Sequence, residues 1–454
     1  MPKAGTKKNL RPVNFWIYGG GFEGGSASDP QTDGGNLASR EDIVTVSFNY
    51  RIGTLGFLAI PGTDIKGNFG IGDQVNALNW VLANIASFGG DPNQITITGE
   101  SAGAASVRVH LGSPQSIGKF QGALAMSDLG GGIDLGEPGN YGTQFTNYYT
   151  IDQSYAAAGQ NIFLAIGCNQ TSLADQIACA RTASTGVAIN AIRPDARYVV
   201  QDGTFVTRGS LDLRSKSSHT AHVPYIGGNV RNDGASYTGL NKTCTSLASC
   251  LAADIPCTPA YANAIIASGL FPFVNVTGNL QQDAFNVSQR IVTDNMFRCV
   301  DQSTAYSGAI SGAFSSAYYY QMQRAGFGYN PNGVPAAGPG PHYLLHGSDV
   351  PWLFGTQISY ADPLDFLTQV ITTTYLAEFI RSGQPNPSEA YLMARGYQDA
   401  LKGYRKSGPW NMVTGDSGKQ IKQMDYPAYD SPWVDEAQCA FLNYSISYYL
   451  TGGV

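Results

Sequence analysis

Gly99-Glu100-Ser101-Ala102-Gly103 sets a serine between two glycines in the spacing G-x-S-x-G. The pattern carries chemistry where a strand runs into a helix. Flanking glycines then leave room for a turn tight enough to hold the serine in a strained conformation with its hydroxyl exposed. The context here is of that kind: Gln94 to Thr98 is a short β-branched run, and a small-residue helix is predicted from near Ala104. A serine hydroxyl is a poor nucleophile until a base takes its proton, and the base needs an acid to fix its tautomer. The expected chemistry is therefore acyl transfer through Ser101, provided that the rest of the chain delivers an imidazole, a carboxylate and N–H donors.

Of the five histidines, His110 lies in the helix after the turn, and His219 and His222 lie in a polar stretch before a strand, where structural or solvated roles are expected. His342 and His346 follow Ala325 to Pro341, a run crowded with Gly and Pro that reads as a surface loop able to bring a side chain over the strand ends. Their i, i+4 spacing also suits a metal, but no glutamate sits between them and no third ligand is near, so no metal is expected. Asp233, in the segment Asn229 to Gly234 after the strand Val223 to Ile226, is the best-placed acid; its plainer reading is an Asx turn before glycine. Gly19-Gly20-Gly21, after the strand Phe15 to Tyr18, and the N–H of Ala102 are the expected oxyanion donors, each worth roughly 3 kcal/mol at a transition state. A phosphate loop over Gly19 to Gly25 is disfavoured because the Gly-Lys-Ser/Thr ending is missing. The order Ser101, Asp233, His346 is that of α/β-hydrolase triads and differs from both common protease orders.

The elements needed to position these groups are legible. Ile43 to Tyr50 reads as a second strand, and Ile71, Val75, Leu78, Leu82, Ile85 and Phe88 recur at helical spacing up to Gly89-Gly90. Ser315 to Met322 reads as a strand and Leu364 to Arg381 as a helix closed by Gly383 and Pro385. Strand, helix, strand, turn, helix is the rhythm of a mostly parallel sheet, so the fold class is α/β with helices on both faces. No linker or repeat divides residues 1–454, which predicts a single domain with long insertions.

Composition agrees. With 43% apolar and 11% aromatic residues there is material for a large core, and a formal charge of -6 without a basic run excludes nucleic-acid and anionic-membrane partners. No apolar run is long enough to span a bilayer. Only 13% of residues are charged, and sequons occur at Asn169, Asn241, Asn275, Asn286 and Asn443, which together point to secretion, although Met1 to Lys8 lack the apolar stretch of a signal peptide. Seven cysteines allow at most three bridges; Cys168 and Cys179 bracket a short stretch suited to a disulfide loop.

These motifs resemble the type-B carboxylesterase family of carboxylesterases, cholinesterases and fungal lipases. Trp16-Ile17-Tyr18-Gly19-Gly20-Gly21-Phe22 resembles its oxyanion motif, and Phe88-Gly89-Gly90-Asp91-Pro92 through Gly103 resembles its nucleophile signature. His346-Gly347-Ser348-Asp349 with Phe354-Gly355 resembles its histidine segment, and Phe379 through Pro387 resembles a family helix ending. The resemblance implies an α/β-hydrolase fold with Ser101 as nucleophile, His346 as base, Asp233 as acid, and Gly20, Gly21 and Ala102 as oxyanion donors. It further implies a Cys168–Cys179 bridge, a Cys299–Cys439 bridge and an Arg51–Asp73 ion pair, while the pairing among Cys244, Cys250 and Cys257 stays open.

Three departures stand out. The acid is Asp where many members carry Glu, which requires a closer backbone. Met126-Ser127-Asp128 replaces the usual Ser-Gly after the elbow, which leaves open whether Ser127 sits beside the acid. The Gly19 to Gly21 turn lies very near the start of the chain, so an N-terminal segment is expected to be missing and a sheet edge uncovered. The expected function is hydrolysis of a small-molecule or lipid ester without a cofactor. The alternatives are a lipase acting on long-chain acylglycerols and a silent relative serving as a binding or adhesion protein. Activity is expected to fall as pH drops through the histidine range near about 6.5.

Overall fold

The computed structural model describes residues 10–129, 148–184, 186, 196, 199–216, 219–240, 243–255, 257–324, 343–357, 363–415 and 418–451. The start Met1 to Lys8, the loop Ala325 to Pro341, His342 and the Asn241 sequon lie outside them.

Strands β1 (Arg11–Ile17), β2 (Val44–Ser47), β3 (Gly90–Glu100), β4 (Gly122–Met126), β5 (Pro224–Val230), β6 (Ser316–Met322), β7 (Ile421–Met424) and β8 (Tyr429–Ser431) form one sheet. Their order is β2-β1-β3-β4-β5-β6-β7-β8, parallel throughout except for the antiparallel last pair. Side chains alternate across each strand. Val13, Phe15, Ile17, Ile95, Ile97, Ala123 and Ala125 therefore bury into one apolar layer, with Ile71 and Leu78 of the Phe69–Asn84 helix and Val107 of the Ala102–Gly112 helix. Trp16, Leu124, Met126, Ile226, Tyr318 and Tyr320 enter the opposite layer, against Trp352, Ile371, Tyr375 and Phe379. The sheet is thus covered by helices on both faces, which is why its central strands read as continuous apolar runs.

The predicted helix over Ile71 to Phe88 runs as Phe69–Asn84, tightens into a 3₁₀ turn at Ile85–Phe88, and stops at Gly89 in the left-handed region. The helix predicted from Leu364 spans Pro363–Ser382, and Gly383 follows it at φ 76°. Strands β7 and β8 are too short and polar to have been read. β2 is the outer strand and pairs with β1 alone among the described residues.

Three disulfides tie the chain: Cys168–Cys179, Cys299–Cys439, and Cys244–Cys250, which the sequence left unassigned. Cys257 is the free thiol. The Arg51–Asp73 pair forms, with Nε 2.7 Å from Oδ2.

Candidate active site

Ser101 is the single residue between β3 and the Ala102–Gly112 helix, at φ 57° and ψ −123°, a conformation few L-residues adopt. Its N–H donates to Met126 O at 2.9 Å, which pins the turn to the end of β4. The helix can start this close only because residue 103 is glycine: a Cβ there would lie 2.0 Å from Ile17 O. A Cβ on Gly19 would lie 2.8 Å from Ser101 Cβ, so the glycine turn runs directly against the serine.

That turn holds Gly20 at φ 109° and Gly21 at φ 63°, closed by Glu23 and Gly24 N–H groups donating to Gly20 O at 3.0 and 2.9 Å. The N–H groups of Gly20 and Gly21 make no backbone hydrogen bond among the described residues. Ala102, as the first residue of its helix, also has an N–H without an intrahelical partner. Stacked Tyr18 and Tyr50 hold the strand end behind the turn, with Tyr50 Oη donating to Tyr18 O at 2.8 Å.

Asp233 opens the Asp233–Tyr237 turn after β5 and is fully buried. Its Oδ2 accepts from Val230 N–H at 3.0 Å and from Ser127 Oγ at 2.8 Å, and its Oδ1 bonds His346 Nδ1 at 2.8 Å. Ser127 therefore does sit beside the acid, in spite of the altered residue after it. It reaches Asp233 from a left-handed backbone, φ 53°, with its own N–H on Gly228 O at 2.6 Å.

The bond at Nδ1 leaves His346 Nε2 as the atom free to exchange a proton. Nε2 lies 3.1 Å from Glu100 Oε1, without the alignment of a hydrogen bond, and has no hydrogen-bond partner. The structure thus joins Asp233 to His346 and sets Ser101 next to Glu100, but draws no hydrogen bond from Ser101 to His346. Burial alone would lower the imidazole's affinity for a proton; Glu100, the Asp233 hydrogen bond and Asp349 outweigh it and push His346 up to about 9. Burial pushes Glu100 up to about 7, against the pull of His346. Burial likewise lifts Asp349, which accepts from Tyr320 Oη at 2.5 Å, to about 6.

Several residues of this site escaped the sequence reading. Glu100 stood inside the quoted motif without a role, and Asp349 only three residues past the histidine. Phe297, 4.7 Å from the His346 ring between centroids, gave no signal at all. It projects from a π-helical turn, Asp294–Arg298, between the Leu280–Thr293 and Cys299–Ile310 helices, while Tyr237 packs edge-on at 5.3 Å. Two of the other histidines have structural settings: His110 is buried between Ser116 and Gln74, and His222 bonds Ala313 O. Tyr318, Tyr319 and Tyr320 are core residues of β6. Among the described residues no group of three His, Cys, Asp or Glu side chains is arranged to hold a metal.

The model of the carboxylesterase family matches residues 1–441. The chain belongs to that family. Mouse cholinesterase is 57% identical over 116 residues, 25% of this chain and 19% of its own length. Cholinesterase 1 of Branchiostoma lanceolatum is 36% identical over 223 residues, 49% of this chain and 62% of its own. Mouse bile salt-activated lipase is 27% identical over 424 residues, 86% of this chain and 66% of its own. The chain therefore spans less than two thirds of the length of each of these relatives. The eight-stranded, mostly parallel sheet flanked by helices is the α/β-hydrolase arrangement expected of a carboxylesterase family member.

Proposed function

We propose that this protein is a serine carboxylic-ester hydrolase. The observation that carries the reading is the 2.8 Å bond between Asp233 and His346 Nδ1, which leaves Nε2 3.1 Å from Oε1 of Glu100, the residue before Ser101. His346 without its proton leaves the ion contact with Glu100 and accepts the proton of Ser101 Oγ as that oxygen attacks the ester carbonyl. The oxyanion is met by the N–H groups of Gly20, Gly21 and Ala102. Collapse expels the alcohol, which takes the proton from Nε2. Water, deprotonated by the same nitrogen, then releases the acid and restores Ser101. Side chains and water suffice, so no cofactor enters the reaction.

That Ser101 and His346 are not yet bonded is compatible with this sequence of steps, since such bonds often tighten only with substrate. Similarity to a cholinesterase and to a bile salt-activated lipase supports an ester as substrate. Three disulfides support an oxidising, extracellular setting. There, Asn169, Asn275 and Asn443 are exposed enough for glycosylation, whereas Asn286 lies half-buried in a helix and accepts from Tyr343 Oη. No helix among the described residues is long and apolar enough to cross a membrane. The test is turnover of a chromogenic acyl ester by the wild type and by Ser101→Ala: the reading expects turnover that the substitution abolishes.

A further inference from the structure

Behind Asp233 lies a buried ionic cluster that the hydrolytic steps do not use. Arg108, two turns into the helix that Ser101 starts, is 1% exposed, as is Asp128, and Asp301 is fully buried. Arg108 Nη1 donates to Asp128 Oδ2 at 3.1 Å and to Thr304 Oγ1 at 2.7 Å, and its guanidinium lies 4.5 Å over the Tyr449 ring. Asp128 N–H donates to Asp301 Oδ2 at 3.2 Å. The cluster therefore fixes both the side chain and the peptide of residue 128, immediately after Ser127.

Stability is a poor reason for such a cluster. Asp301 adjoins Asp128 in a site without exposure, while the guanidinium bonds Asp128, and Arg108 Nε, Arg108 Nη2 and Asp301 Oδ1 have no hydrogen-bond partner. A buried ion pair with unsatisfied donors is commonly less stable than apolar side chains of the same volume. What the cluster does fix is geometry. Ser127 must hold φ 53°, outside the range a serine favours, for its hydroxyl to meet Asp233 at 2.8 Å. The peptide on its far side is the one whose N–H Asp301 accepts, and Arg108 holds the side chain of the residue that follows.

We propose that Arg108, Asp128 and Asp301 are positioning residues that hold Ser127 in its left-handed conformation, so that its hydroxyl orients the Asp233 carboxylate toward His346. This rests on the ester-hydrolase reading of the site. It joins the nucleophile's own helix, the end of β4 and the Cys299–Ile310 helix into one support for the acid.

The experiment is a double-mutant cycle between Asp128→Asn and Ser127→Ala, followed by kcat and KM on a soluble acyl ester and by the downfield proton resonance of His346 Nδ1–H. Asp128→Asn is expected to lower kcat about tenfold with KM within about twofold, as for loss of one hydrogen bond to a charged group. The same is expected of Ser127→Ala, and the double variant should be no slower than Ser127→Ala alone. The resonance should move in Asp128→Asn and no further in the double variant; because it needs no turnover, it reads the cluster even if the wild type hydrolyses no ester. Arg108→Lys, which keeps the charge but loses the fork, serves where Asp128→Asn does not fold, and the same loss of kcat is expected. Unchanged kcat and resonance in these variants, or losses that multiply to about a hundredfold in the double variant, would overturn the inference.

Discussion

His346 Nε2 lies 3.1 Å from Glu100 Oε1, so the atom proposed to accept the serine proton faces a carboxylate from the residue before that serine. With Glu100 pushed up to about 7 and His346 to about 9, both are charged between those values, and the imidazole is held as imidazolium there. The base form appears as pH rises toward about 9, which moves the expected acid limb of activity upward from the ordinary histidine range. Burial would have lowered it; the carboxylates decide the sign.

The first prediction concerns this limb. The rise of kcat/KM with pH should centre above pH 7 in the wild type, and Glu100→Gln should move it down by about one unit or more, toward the unperturbed histidine value. Stability follows the same linkage. A histidine raised in the folded state contributes fully below its unfolded value and loses that contribution as pH rises through about 9. A wild-type limb near about 6.5 that Glu100→Gln leaves in place would contradict the role given to Glu100.

The second concerns the acid. Asp233→Asn keeps the shape of the side chain but can present a donor to Nδ1, which favours the wrong tautomer. A fall in kcat of about four orders of magnitude is expected. Steady-state kinetics on one chromogenic ester measures it, with the folded state checked by circular dichroism; a loss under about tenfold would assign the acid elsewhere.

The third concerns the elbow. A Cβ on Gly103 would lie 2.0 Å from Ile17 O, a backbone atom of β1 that cannot rotate away. Gly103→Ala should therefore lower the melting temperature and the turnover together, whereas Gly62→Ala, with nothing within 4 Å but a φ of 70°, should cost about 1 kcal/mol and leave turnover alone.

The fourth concerns the bridges. Cys299–Cys439 joins residues 140 apart and anchors the helix that carries Asp301, whereas Cys244–Cys250 joins residues 6 apart. On loop-closure entropy the first is worth roughly 5 kcal/mol and the second roughly 2. Replacing both cysteines of each pair by alanine should give denaturation midpoints in that order.

The motifs and strand ends were legible because local rules decide them. G-x-S-x-G needs two glycines for a close approach, β-branched residues mark strands such as β3, and Ser101 and Asp233 each come within a few residues of a strand end. What was not legible depends on distant parts of the chain. The Glu100–His346 contact joins residues far apart in the chain and leaves no local pattern. Phe297 is aimed by a π-helical turn that leaves no periodic trace. Arg108 reads as an ordinary helical arginine until Asp128 and Asp301, from two other elements, close around it.

The central claim is that the hydroxyl of Ser101 is an activated nucleophile. Its most direct test is to treat the wild type and Ser101→Ala with an organophosphonate ester probe and locate the adduct by peptide mass spectrometry. The account predicts one adduct per wild-type chain, on Ser101, with parallel loss of ester hydrolysis and no adduct in the variant. An unlabelled wild type, or hydrolysis by Ser101→Ala at the wild-type rate, would contradict it.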